Sequence, residues 1–238
     1  MADILGIGIS GLKAHQTALS VTGNNISNVD TEGYSRQDAI ITNNNPQLNG
    51  GVWIGTGANV ESVRRIYDEF LVGQMQKDTS TFNYFETLSN NAEQIDRLLA
   101  DPSTGIQPGI ENMFGSFQAA IDDPSSLPAR QVVISESQGL VDRFHTISDQ
   151  LNDSNKIVNG QLGVYTTQIS TLAESISELN EQITFAQSSA NGYPPNDLLD
   201  KRDLAITKLS ELVSINVVEQ DESTLNIFIG NGQALVVG

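Results

Sequence analysis

The sequence has no cysteine, one tryptophan, two histidines and 12 lysines and arginines against 29 acidic residues. Without cysteine there are no disulfides, no thiol chemistry and no cysteine metal sites, and the redox compartment stays open. With so few bases, none of them clustered, and a formal net charge of −17, the chain is a poor match for phosphate backbones or anionic lipid. Nucleic acid and membrane insertion are therefore not expected, and the excess charge reads as solubility. No run approaches the ~18 apolar residues of a membrane span. The opening "MADILGIGISGLKAHQTAL" lacks the basic leader of a signal peptide, and Lys13, His15 and Gln16 interrupt it.

Catalytic signatures are missing as well. No H-E-x-x-H, phosphate loop or nucleophile elbow occurs. "GIGISG" lacks dinucleotide-loop spacing, and small residues allowing close helix approach explain it better. "DESTLNIF" and "DKRD" do not resemble a calcium loop, and the latter, Asp200 to Asp203, reads as a solvated helix face. The expectation is a protein that is not an enzyme, with no cofactor and no metal site.

What the sequence does contain is helical periodicity. Leu5, Ile9, Leu12, Leu19 and Ile26 recur at steps of three, four or seven, and predict a helix over 3–23. Gly6, Gly8 and Gly11 weaken it, so it needs a partner packed along its stripe. The stretch "NNISNVDTEGYSR" at 24–36 follows, too polar for a strand and too rich in Asn for a helix interior, with Gly33 permitting a turn. Asn24, Asn25 and Asn28 could cap the helix and shape the turn, or could tie the chain to neighbouring subunits. Spacing alone leaves both open.

"RQDAIIT" predicts a strand, "NNNPQLNGG" a loop and "VWIGTGANVESVRRI" a second strand or hairpin arm. A helix follows from near Ile66 through Phe70, Leu71 and Met75, then Phe85, Leu88, Ala92, Ile95 and Leu99, until "ADPSTGIQPG" stops it. Phe82, Tyr84 and Phe85 read as core residues. "IENMFGSFQAAI" is a short helix with Met113, Phe114, Phe117 and Ile121 on one side.

The dominant signal is a heptad run from Ile134 through Val141, Phe144, Leu151, Val158, Leu162, Tyr165, Ile169, Leu172, Ile176, Leu179 and Ile183 to Ala186. It predicts one helix of roughly 80 Å at 1.5 Å per residue. Pro128 suits its first turn, and His145 flanks the seam. Gly192, Pro194 and Pro195 end it, and Asp197 is placed to cap the next helix. Strands then follow in "VSINVVEQ", "TLNIFI" and "ALVV", with Asn231-Gly232 as a hairpin turn. The fold class expected is mainly α: an elongated long-helix coiled coil or bundle, a small β element near 35–65, and the start of a β-rich domain after 212. The domains expected are 1–36 (helix and Asn-rich linker), 37–211 (helical rod) and 212–238 (outer β domain). The last strand stops at Gly238, as expected of the N-terminal portion of a longer protein.

The stretch "SGLKAHQTALSVTGNNISNVDTEGYSR" resembles the N-terminal signature of the flagellar rod, hook and hook-associated proteins. The matching positions are Asn24, Asn25, Ile26, Ser27 and Asn28, then Thr31, Gly33 and Tyr34. Tyr34 with Ser35, Arg36 and Gln37, and later "LPARQVVISESQGLVDRFHTISDQL" and "PPNDLLDKRDLAITKLSELVSINV", are similar to the hook-associated branch. The resemblance implies a structural subunit joining hook to filament, exported without a cleaved signal peptide and located outside the cell in the flagellum. It implies lateral contacts with copies of itself, hook protein below, the second junction protein (hook-associated protein 3) above, and an export chaperone and export apparatus on the way out. The subunit-packing residues it suggests are Leu5, Ile9, Leu12, Leu19, Asn24, Asn25, Ile26, Asn28, Gly33 and Tyr34. A hook or distal-rod subunit, or a coiled-coil adaptor, are the alternatives. The Asn-rich turn and the strands after 213 argue against the adaptor.

Overall fold

The computed structural model describes residues 4–100, 105–190, 193–221, 223–230 and 232–238. Its elements run α1 (Ile4–Ser27), β1 (Gln37–Asn43), β2 (Gln47–Asn49), β3 (Val52–Ile54), β4 (Ala58–Arg65), α2 (Glu69–Ala100), α3 (Ile106–Asp122), α4 (Leu127–Ser189), α5 (Asn196–Leu212), β5 (Ile215–Glu219), β6 (Leu225–Ile229) and β7 (Gln233–Val236). The protein is mainly α, as the periodicities predict. Two compact units divide it, one made of 1–81 with 169–238, the other of 82–168.

In the first unit, β1 and β4 pair antiparallel from Gln37↔Arg65 to Asn43↔Ala58, with a bulge at Ile40/Ile41. α1 lies along this pair. Its glycines do not break it, because the helix is supported from one side: Ala14 is fully covered, and Ile7, Ser10, Val21 and Asn25 are half-buried on the same face. The helix also continues four residues beyond the predicted end, through Asn24, Asn25, Ile26 and Ser27. The hydroxyls of Ser10, Thr17, Ser20, Thr22 and Ser27 donate to backbone carbonyls three or four residues back, at 2.8 to 3.2 Å.

"NNNPQLNGG" is not all loop. β2 and β3 pair from Gln47↔Ile54 to Asn49↔Val52, around Gly50 and Gly51 at φ +60° and +83°. Positive φ at both central residues is the turn that matches strand twist, and only glycine adopts it freely. The unit's core lies where α5 and the C-terminal part of α4 meet the three-stranded antiparallel sheet β5-β6-β7. Ile176, Ile206, Leu209 and Ile227 are fully buried there. The hairpin turn predicted at Asn231-Gly232 falls partly outside the described residues; Gly232 itself has φ +97°. Gly192, predicted to help end the long helix, and Pro102 before α3 are likewise outside them.

The heptad run forms a single helix, α4, of 63 residues, with Pro128 in its first turn. Its seam is covered unevenly. Ala173, Ile176, Leu179 and Ile183 are buried in the first unit, whereas Ile134, Val141, Phe144 and Leu162 in the second remain about half exposed. In that second unit the face of α3 that packs is not the aromatic one. Gly109 and Ser116 are buried, and a Cβ on Gly109 would sit 2.9 Å from Arg143 Cδ. Phe114, Phe117 and Ile121 point outward. Phe82, Tyr84 and Phe85 on α2 are exposed too, contrary to the core placement expected. Periodicity marks an apolar stripe; it does not say which stripe a neighbour covers.

Candidate functional site

The residues singled out at the N-terminus fall into two sets that face different ways. Leu5, Ile9, Leu12, Leu19 and Ile26 form the outer stripe of α1, and each is more than half exposed. The opposite face, which carries Ile7, Ser10, Ala14, Val21 and Asn25, is the one that β1 and β4 cover. At Ser10 the approach is close: its Oγ accepts from the Ala58 N–H at 3.2 Å, and Gly57, at φ +108°, leaves the space that a side chain would fill. The chain therefore presents an uncovered apolar seam of about six turns, with Lys13 the one charged residue between Ile4 and Val29.

The asparagines are brought together with Tyr34 and Gln37. Asn25 Nδ2 donates to the Gln37 carbonyl at 2.9 Å, and Asn25 Oδ1 accepts from the Gln37 N–H at 2.8 Å. Tyr34 Oη donates to the same Oδ1 at 2.8 Å and accepts from Asn24 Nδ2 at 3.3 Å. Asn28 Nδ2 donates to the Asn24 carbonyl and Oδ1, at 3.0 and 2.9 Å, and Asn28 Oδ1 accepts from Thr31 at 3.3 Å. The Asn-rich stretch thus holds the end of α1 to the start of β1. Gly33 closes the turn at φ +79°, where an added Cβ would lie 2.9 Å from Leu204 Cβ on α5. Burial first, then Asp200 and Asp197, hold the Tyr34 hydroxyl above its ordinary pKa.

Beneath this turn lies a charged cluster. Asp200 accepts from the Ser35 N–H at 3.2 Å. Arg65 Nη1 bridges Asp200 at 2.9 Å and Asp203 at 2.6 Å, with all three side chains at most 16% exposed. Burial pulls the Arg65 guanidinium down, but the hydrogen bonds and charges of the two aspartates outweigh it and raise its pKa. Burial raises Asp203, and Arg65 offsets this only in part. Arg65 also lies 4.7 Å over the Tyr67 ring, whose hydroxyl burial and Asp203 push up to about 12. On the other side of α5, Arg202 donates to Asn180 Oδ1 at 3.0 Å and to the Ser223 carbonyl at 2.7 Å. Asn196 Nδ2 reaches the Val63 carbonyl at 2.9 Å.

"DKRD" is therefore not a solvated face: Asp200 and Arg202 are buried, because α5 is covered by the β1–β4 pair and by the C-terminal sheet. Nor does Asp197 cap α5. Pro195 is the N-cap and Asp197 lies in the first turn, where a negative charge still favours the helix dipole. Arg65, Asp200, Asp203 and Gln37 were not candidates from the sequence. A charge-dense tetrad within an otherwise apolar-spaced helix is the signal that could have found the aspartates. Among the described residues no group of three His, Cys, Asp or Glu could hold a metal, and no helix is long and apolar enough to cross a membrane.

A one-sided N-terminal helix locked by asparagines to a β-hairpin, joined to a long-helix domain, defines a class. Residues 5–34 match the family described as flagella basal body rod protein, so the N-terminal part is similar to proteins of the bacterial flagellum. Residues 92–238 match the family described as flagellar hook-associated protein FlgK helical domain. The chain belongs to the flagellar hook-associated protein 1 family. It is 36% identical to flagellar hook-associated protein 1 of Salmonella typhimurium and 34% identical to that of Escherichia coli, over all 238 residues in both cases. It is 31% identical to the Bacillus subtilis protein over 215 residues, 87% of this chain. It spans 43%, 44% and 42% of those relatives. The solved flagellar hook junction protein FlgK of Burkholderia pseudomallei is similar at TM-score 0.62 and 33% identity, covering 69% of this chain and 29% of that one.

Proposed function

We propose that the protein is a structural subunit of the junction between flagellar hook and filament, and that it acts by self-assembly through α1 rather than by catalysis. The observation that carries this reading is the uncovered seam of Leu5, Ile9, Leu12, Leu19 and Ile26, in a chain similar over its whole length to hook-associated protein 1. An apolar stripe of this length on a free helix is stable in water only at a cost, and packing against helices of other subunits removes it. Residues 1–36 form the inner layer of the tube, and the helical region the layer outside it. The partners are further copies of the chain, hook protein on one side and hook-associated protein 3 on the other, after passage with an export chaperone through the flagellar export apparatus. The location is extracellular, reached without a cleaved signal peptide.

Localisation tests it. An epitope inserted after Gly238 of the full-length protein should label a thin band between hook and filament. Deleting residues 1–23, or replacing Leu5, Leu12 and Leu19 together by serine, should leave soluble protein that fails to enter the band. Label along the whole filament or in the cytoplasm only, or normal incorporation of the serine variant, would defeat the proposal.

A further inference from the structure

Asn-Gly dipeptides occur at 49–50, 159–160, 191–192 and 231–232. Asn191, Gly192 and Asn231 lie outside the described residues. The other two dipeptides sit in opposite settings. Asn49 ends β2, and Gly50 and Gly51 make the turn into β3. Asn159 and Gly160 lie in the middle of α4.

An asparagine that precedes glycine can lose its amide without an enzyme. The glycine backbone nitrogen attacks the asparagine Cγ, and the new C–N bond closes a succinimide ring. The Cγ–Nδ2 bond breaks, and ammonia leaves with the proton of the glycine amide. Water then opens the ring at either carbonyl and gives aspartate or isoaspartate. Glycine favours the attack because no Cβ shields its nitrogen. In a folded chain the step needs a free carboxamide, a free glycine N–H and a backbone able to bring them together.

Asn49 meets all of these conditions. It is exposed, and among the described residues neither its carboxamide nor the Gly50 N–H has a hydrogen-bond partner. The hairpin pairs only from Gln47↔Ile54 to Asn49↔Val52, and its strand residues are all exposed. A ribbon that short and uncovered opens readily. Asn159 meets none of them. Its Nδ2 donates to the Asn155 carbonyl and Oδ1, at 2.9 and 2.8 Å. The Gly160 N–H is spent on the ladder of the helix, which also fixes the backbone angles.

We infer that Asn49 is a site of spontaneous deamidation, and that α4 protects the same dipeptide at Asn159. The position gives the change its effect. No Asp, Glu, Lys or Arg occurs from Ala39 to Val60, so the product places a first negative charge in this stretch. Isoaspartate also adds a methylene to the backbone at the Asn49↔Val52 pair, which spoils the register of the hairpin. The protein thus acquires with time a second, more acidic form, whether or not it is assembled.

The test uses the purified full-length protein, held in mildly alkaline buffer and sampled over days by digestion and mass spectrometry. The Asn49 peptide should give two products of equal mass, one with aspartate and one with isoaspartate. They should accumulate roughly tenfold faster than the products at Asn159, or more. In denaturant, where neither dipeptide is held, the two rates should converge. Equal rates at the two sites in the folded protein, or a gap of the same size in denaturant, would overturn the inference.

Discussion

Asn25 pairs with Gln37 as a strand residue would: its side-chain amide both donates to the Gln37 carbonyl and accepts from the Gln37 N–H, at 2.9 and 2.8 Å. A helix cannot join a sheet ladder through its own backbone, since its amides are already used. An asparagine side chain carries the same donor and acceptor, and here it extends the β1–β4 ladder by one rung into α1. Replacing Asn25 by alanine leaves the backbone groups of the buried Gln37 and Tyr34 Oη without this partner. We expect a loss of about 1–3 kcal/mol, measured by thermal or urea unfolding, with faster amide exchange at Gln37. Asn25→Asp should recover only part of it, because it keeps both bonds accepted at Oδ1 but cannot donate to the Gln37 carbonyl.

Arg65 is the shared partner of two buried carboxylates. Removing it strands both. Arg65→Met should destabilise the protein by about 3–5 kcal/mol, and unfolding midpoints would show it. The triple change Arg65→Met, Asp200→Leu, Asp203→Leu removes the stranded charges and should recover part of that loss. If the triple variant were no better than the single one, the loss would not come from uncompensated charge.

Gly33 and Gly23 make a matched pair of glycine substitutions with opposite signs. At Gly33 an alanine meets both φ +79° and Leu204 Cβ 2.9 Å away, and should cost about 1–3 kcal/mol. At Gly23, inside α1, nothing lies within 4 Å of an added Cβ, and alanine should gain about 0.5–1 kcal/mol. Melting temperatures of the two variants check the order.

Tyr67 contributes to the fall of stability on the alkaline side. Its hydroxyl is held up to about 12, whereas an unfolded tyrosine ionises near ~10. As pH rises from ~10, the unfolded chain releases a proton that the folded chain keeps, so stability falls until the folded group ionises as well. Absorbance titration should show one tyrosine ionising late, near 12. Tyr67→Phe should flatten the fall of melting temperature over that range.

The sequence made long-range helicity legible and coverage illegible. The heptads from Ile134 to Ala186 predict α4 nearly end to end, since a repeat that long has no other stable form. The same repeat cannot say that Ile176 is buried while Phe144 is half exposed, because this depends on elements far away in the chain. At the N-terminus the stripe of Leu5 to Ile26 was visible as a stripe. Its being the uncovered face follows from Ser10, Ala14 and Gly57, whose small size admits the hairpin on the other side. Asn25 was legible as a special residue but not as a ladder rung, and helix propensity alone placed it outside the helix. Asp200 and Arg202 read as solvated from the sequence because charge usually is; the partner of Asp200, Arg65, lies 135 residues away, and those of Arg202 are Asn180 and the Ser223 carbonyl, 22 and 21 residues away.

The hydroxyls along α1 have a consequence for its two environments. Ser10, Thr17, Ser20, Thr22 and Ser27 each already give their proton to the helix's own carbonyls. Apart from Ser10, whose oxygen also accepts from the Ala58 N–H, their oxygens remain available to water while the subunit is free, which keeps a helix with a single charge wettable. When water is withdrawn, no hydroxyl proton is orphaned, and the penalty for dehydrating a polar side chain is largely absent. In the proposed assembly such a helix would be amphibious, immersed as a monomer and enclosed in a protein wall with the same hydroxyl bonds.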